Sequence, residues 1–256
     1  MEEQKELKET TLDLQSYVDK GMSGMEELDN ESFKIPFLKI LNDLSPEVKK
    51  NSPEKIPDAD VGMYCNTVTK ELYTELSVIV LSISHDFVLW RPNRGGFAGS
   101  FPHTRKDIIA KRDGVNMYDA EGNSIVETLS FYLLNVDNPT DLFIFSTAVS
   151  SLKYGKAWSS RIRLLKCNNK LTNVSWAGIW KIGTYLDRNK KGEWYTIGNT
   201  PKFERFVTKD EIEGFILPML EIAKSQKVDY SNMGTDYPGG DLAKPNQKFN
   251  EDDVEF

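Results

Sequence analysis

Lysines and arginines interleaved with flat aromatic rings form the stretch of this chain with most to offer chemically. Between Ser151 and Phe206 twelve Lys/Arg stand against three acidic residues, Asp187, Glu193 and Glu204, and four of the five tryptophans lie there: Trp158, Trp176, Trp180 and Trp194. Phosphates need positive charge and unpaired bases need stacking surfaces, so this pattern suits non-covalent binding of a single-stranded nucleic acid. The plainer reading is an aromatic β core beneath a solvated basic face. Covalent chemistry finds fewer parts. The two histidines are His85 and His103. His85 sits in Ser84-His85-Asp86, yet neighbours on a strand point to opposite faces, which separates that base from that carboxylate. Gly155-Lys156 lacks the upstream glycine of a phosphate loop and has Ala157 where Ser or Thr belongs. The Gly-rich run Arg91–Pro102 has no strand-to-helix context, and the acidic residues collect at the two ends rather than in a nuclease-like cluster. No catalytic residue, metal or cofactor is expected.

Charge divides the chain into three. Residues 1–31 hold ten acidic and three basic groups, and residues 229–256 hold seven acidic and two basic, so the body between them is net positive although the whole carries −7. A basic body between acidic ends is the asymmetry of nucleic-acid binders with an interaction tail. No apolar run reaches the roughly 18 residues that a membrane span requires. The polar start, MEEQKELKET, resembles neither a secretory signal nor a transit peptide. Cys65 and Cys167 lie too far apart in sequence for metal-ligand spacing and read as core thiols of a reducing cytoplasm.

Several elements must position the basic stretch. Weak helical spacing in 1–31, broken by Gly21 and Gly24, predicts a flexible acidic arm. Pro36 followed by Phe37, Ile40, Leu41 and Leu44 predicts a short helix ending before Pro46. Six candidate strands follow at 62–73, 75–90, 129–136, 141–149, 175–186 and 193–197, rich in β-branched and aromatic residues. Within the second, Val78, Val80, Ser82 and Ser84 are assigned to one face and Ile79, Leu81 and Ile83 to the other. Asn138-Pro139 marks a hairpin turn. Arg91–Pro102 reads as a mobile loop and 107–122 as an insertion. Ser151–Cys167 reads as a helix with Tyr154, Trp158, Ile162 and Leu165 on one stripe. Thr208–Glu211 is a capping box opening a last helix that Pro218 should kink. Residues 229–256 hold too little apolar content to fold.

The chain ends NEDDVEF, an acidic run closed by a terminal aromatic. Following a basic, aromatic-rich β domain, that ending resembles the single-stranded DNA-binding proteins of bacteria and phages, whose acidic tails end in Phe. The body, with PFLKILNDLSPEV, GMYCNTVT and VLWRPNRGGFAGSF, is similar to a group of phage-encoded proteins regarded as single-stranded DNA binders. The resemblance implies a mainly β (α+β) fold, an OB-fold-like barrel with added helices, over 32–228, between the 1–31 arm and the disordered 229–256 tail. It implies a protein that coats single-stranded DNA in phage replication or recombination, in the host cytoplasm, with no chemistry. The tail would dock replication and recombination proteins, and self-association into a homo-oligomer is compatible with the sequence. A non-catalytic structural or adaptor protein is the main competing class, a nucleic-acid-processing enzyme the next.

The expected groove draws at least two stacking rings from Trp158, Trp180, Tyr185 and Trp194. Lys153, Lys156, Arg161, Arg163, Lys181 and Arg205 would line the phosphate path. Trp90, Arg91, Arg94 and Phe97 would form a loop closing over the strand. In the tail, Glu251, Asp252, Asp253, Glu255 and Phe256 would be the partner-binding residues.

Overall fold

The structure, a computed structural model, describes residues 35–189 and 192–232. In chain order its strands are β1 (Leu38–Ile40), β2 (Tyr64–Asn66), β3 (Leu72–Tyr73), β4 (Leu76–Trp90), β5 (Phe97–Pro102), β6 (Lys111–Asp113), β7 (Asn116–Tyr118), β8 (Ser124–Asn135) and β9 (Leu142–Ala148). Helix α1 (Leu152–Arg163) follows, then β10 (Lys166–Cys167), β11 (Lys170–Leu171), β12 (Gly178–Ile182), β13 (Tyr185–Asn189), β14 (Gly192–Thr196) and β15 (Lys202–Phe206). The short α2 (Lys209–Glu211) runs through a π-helical turn, Ile212–Ile216, into α3 (Leu217–Ser225).

Two long strands carry the rest. β4 and β8 pair antiparallel from Val78 opposite Asn135 to Trp90 opposite Ser124. On its other edge β4 pairs first with β12 and, further along, with β5. β8 likewise shares its outer edge between β9 and β7. β15 borders β12 and β6 borders β7, completing an open eight-stranded sheet. The run LSVIVLSISHDFVLW explains the central position of β4, since β-branched and aromatic side chains pack well on both sides of a pleated strand.

Both faces of that sheet are covered. On one, Ile79, Leu81, Val88 and Trp90 of β4 join Val126, Tyr132 and Leu134 of β8 beneath Ile216, Leu220 and Ala223 of the π turn and α3. On the other, Val78 and Val80 join Leu129, Phe131 and Leu133 beneath Trp158 and Ile162 of α1. Trp158 is fully enclosed and stacks on Phe131 with ring centroids 4.6 Å apart. Helix α1 approaches closely because Gly155 faces Thr147 of β9, where any Cβ would collide with the threonine side chain.

The mainly β class holds, but among the described residues the sheet stays open, so the expected closed barrel is corrected. Its two outer edges, β15 and β6, do not meet. The helix expected from Pro36 is instead strand β1, held by pairing to β2 and by a bridge between Phe37 and Ile144. Here β-ladder partners outweigh a short helical spacing. The second half of the glycine-rich run is strand β5, and the expected insertion carries the β6–β7 hairpin. The helix ends at Arg163 rather than Cys167, which lies on the β10–β11 ribbon. Cys65 is buried as expected, whereas Cys167 is exposed.

Strand β4 holds one irregularity. Between Val80 and Ser82 it carries an extra residue relative to β8, a β-bulge. Alternation is therefore continuous only up to Val80. Beyond it Ile83 packs with Val78 and Val80, against the assignment made from strict alternation.

The capping box is present as read, Thr208 accepting from the Glu211 N–H while the Glu211 carboxylate accepts from the Thr208 N–H. The irregularity expected at Pro218 takes the form of the π turn immediately before α3. Proline supplies no N–H, and the widened turn accommodates the missing bond. The arm, 1–31, lies outside the described residues, as do 233–256. Of the segment expected to be disordered, Asp229–Asn232 are described, and Tyr230 is buried in the core at 1% exposure.

Candidate functional site

Of the ten Lys/Arg described between Ser151 and Phe206, nine are exposed: Lys153, Lys156, Arg163, Lys166, Lys170, Lys181, Arg188, Lys202 and Arg205. The tenth, Arg161, is half-buried, donates to the Pro201 carbonyl at 2.6 Å, and has its pKa lowered by burial. Four of the nine are tied to carboxylates: Lys153 to Asp187, Lys156 to Glu127, Lys181 to Glu75 and Arg205 to Glu211. Among the described residues Arg163, Lys166, Lys170, Arg188 and Lys202 form no ion pair. Lys181 and Lys202 stand directly opposite each other in the β12–β15 ladder. Like charges facing across a ladder are unfavourable, and an anion bound there would relieve them.

The aromatic half of the expectation divides. Trp158, Trp180 and Trp90 are buried, so they pack the sheet faces and present no ring to a base. Trp180 meets Trp158 and Phe203 edge-on. Tyr185, 53% exposed, and the half-buried Trp194 remain available, and Phe203, 39% exposed, joins them as a ring that sequence reasoning passed over. Arg91 is exposed and donates to the Phe97 carbonyl at 2.7 Å, while Phe97 packs edge-on against Trp90. The proposed closing loop is thus largely a folded corner. The Arg94 side chain lies outside the description, as do Glu251, Asp252, Asp253, Glu255 and Phe256.

Trp194 also lines a cavity of about 530 Å³ between β1, the end of β9 and the β13–β14 hairpin. Its walls include Phe37, Phe145 and Leu44, and Asp43 and Glu193 make part of the lining acidic.

A second constellation lies on the α1 face. His85 of β4 and Glu127 of β8 meet there, with the His85 Nε2 2.9 Å from Glu127 Oε1. His103, just after β5, stacks its ring on His85 with centroids 3.6 Å apart and planes at 13°. The same Glu127 Oε1 accepts from Lys156 Nζ of α1 at 2.7 Å. Lys106 Nζ stands 2.7 Å from the His103 Nε2. Burial raises the Glu127 pKa, but the hydrogen bonds from Lys156 and His85 outweigh it and hold the carboxyl below its usual value. Burial, His85 and Lys106 together lower the His103 pKa. Separation of His85 from Asp86 is as expected: Asp86 faces the opposite side of the sheet, where it accepts from Tyr230. Sequence reasoning missed the cluster because its members come from four separate elements.

These features define a mainly β protein with an open two-faced sheet, an exposed basic stretch and a His–Glu–Lys cluster. The chain belongs to the Pam3 phage gp34-like protein family, whose model matches residues 4–212 and so spans every described strand. Comparison with curated proteins and with solved structures finds no match. No helix among the described residues is long and apolar enough to cross a membrane.

Proposed function

We propose that this protein binds single-stranded DNA without sequence preference and without covalent chemistry, in phage replication or recombination within the host cytoplasm. The observation that carries this reading is the exposure of nine of ten cations in one stretch, five of them without an ionic partner among the described residues. Unpaired exposed cations are available to phosphates and release counterions when they engage. Tyr185, Trp194 and Phe203 supply the stacking rings, each base–ring contact being worth about 1–3 kcal/mol. The reading keeps the working principle of the OB-fold, a β surface flanked by loops, rather than its closed barrel.

The acidic terminus is the second half of the proposal. Its negative charges compete with DNA for the cations, and Phe256 is offered to replication or recombination proteins.

The test is quenching of intrinsic tryptophan fluorescence by poly(dT) across a salt series. The wild-type protein should bind with a marked salt dependence. Arg163→Ala combined with Lys202→Ala should weaken it and reduce the salt slope by about 0.7 for each phosphate contact removed. Tyr185→Ala should weaken binding about 5- to 150-fold while leaving the slope unchanged. No quenching at low salt, or an unchanged slope in the double variant, would overturn this reading.

A further inference from the structure

We propose that His85, His103 and Glu127 form a binding site for one divalent transition-metal ion. A ring nitrogen of each histidine and a carboxylate oxygen of Glu127 all lie within 4.8 Å of one another. Ligands on a four-coordinate zinc ion, with bonds of about 2.0–2.2 Å, stand roughly 3.3–3.6 Å apart. The set therefore stands within about 1.5 Å of ligand spacing. The two imidazoles lie nearly parallel, so each must tilt to aim its lone pair at a common point. Side-chain exposures of 32% for His85, 31% for His103 and 23% for Glu127 leave room for that tilt and for an ion to enter.

The backbone beneath is well fixed. His85 and Glu127 occupy the two central strands, and the His103 N–H donates to the His85 carbonyl at 2.9 Å. His85 donates its Nε2–H to Glu127 and must present a bare ring nitrogen to a metal ion by a change of tautomer or by turning its Nδ1, whereas His103 is already an acceptor. An ammonium has protons only to give, so the Lys106 contact makes His103 Nε2 an acceptor, its lone pair held by a flexible lysine that a metal ion would displace. Neutral imidazole and ionised carboxylate are the states that metals require.

Lys156 already holds a positive charge against Glu127 Oε1. It is half exposed, on a long flexible stem, and can swing out when a metal ion takes its place. Both ammonium groups oppose a second cation, which weakens the site and gives the proposal its most discriminating test. Two histidines and one carboxylate leave a coordination position for water or an anionic ligand.

The test uses tag-free, chelator-treated full-length protein, titrated with Zn²⁺ by calorimetry and with Co²⁺ by visible absorption. Because His85 and His103 are the chain's two histidines, histidine coordination cannot arise elsewhere. One ion per chain is expected, with Co²⁺ bands characteristic of nitrogen ligation. His103→Ala and Glu127→Gln should each lower affinity at least tenfold, with circular dichroism confirming that each variant folds. Lys106→Ala with Lys156→Ala, which keeps every ligand, should tighten binding. Absence of saturable binding in both the wild type and the double lysine variant would overturn the proposal, as would binding unaffected by His103→Ala. Poly(dT) binding is measured separately, so failure here leaves the nucleic-acid reading to its own test.

Discussion

The Tyr230 hydroxyl donates a 2.8 Å hydrogen bond to the Asp86 carboxylate on the α3 side of the sheet. The same hydroxyl lies 3.1 Å from Ser130 Oγ, which in turn lies 2.7 Å from Ser146 Oγ. Burial and then Asp86 push the phenol pKa far upward, so it remains a proton donor. Tyr230→Phe strands these partners and should cost about 1–3 kcal/mol. Tyr230→Ala should cost about 3–5 kcal/mol through the lost ring. Urea unfolding measures both, and an unchanged midpoint in the alanine variant would show that this segment does not stabilise the sheet.

Acid stability should depend on the end of β15. Arg205 grips Glu211 with two bonds of 2.6 and 2.9 Å. Together with Thr208 it holds the carboxyl at about 2, against an ordinary 4.5. A depressed carboxyl pKa contributes stability that is present above the unfolded value and is lost as pH falls through the folded one. Glu211→Gln should therefore flatten the decline in stability between pH 4.5 and about 2. Thr208→Ala, which removes the cap, should cost about 0.5–2 kcal/mol at neutral pH. Equilibrium unfolding at stepped pH separates the two effects.

Gly155→Ala sets two effects against each other. Alanine favours a helix by about 1 kcal/mol over glycine. The new methyl meets Thr147, a stiff β-branched side chain on the strand beneath α1, and overpacking of this kind costs about 1–3 kcal/mol. Crowding should win, and thermal unfolding should shift downward. A stabilised variant would show that α1 can lift from β9 at little cost.

Removal of Asn250–Phe256 should tighten binding of single-stranded DNA, most clearly at low salt, where the tail's charges are least screened. It should also abolish capture of replication or recombination proteins from host extract. Unchanged affinity with retained partners would reduce the tail to a solubiliser.

Legibility in the sequence followed the range of the forces. The 75–90 strand, the hairpin at Asn138-Pro139 and the capping box rest on local periodicity or on contacts within a few residues, and all three were readable. Strand β1 was not, because Leu38–Ile40 becomes a strand only by pairing with Tyr64–Asn66, next to the bridge between Phe37 and Ile144. The cations were readable because most charges stay in water. Among the aromatics, Trp158 and Trp180 could not be told from Tyr185 and Trp194 by type. Burial is a property of which face a residue occupies, and that is decided by long-range pairing. For the same reason nothing in the sequence placed His103 over His85.

The single extra residue in β4 has a consequence for evolution and for engineering. Before it, odd-numbered positions face α3; after it, even-numbered positions do. That phase slip places His85 beneath α1 with Glu127, and Asp86 beneath α3 with Tyr230. Deleting Leu81 would keep every other residue type and nearly the same length. Val80 and Ser82 would then follow each other opposite Leu133 and Tyr132, so the ladder would run without a bulge, every remaining side chain would keep its face, and only the Leu81 contribution to the α3-side core would be lost. Leu81 is thus the place where β4 can shed a residue, whereas a deletion far from it would turn part of the strand over, and length variation within β4 should concentrate there.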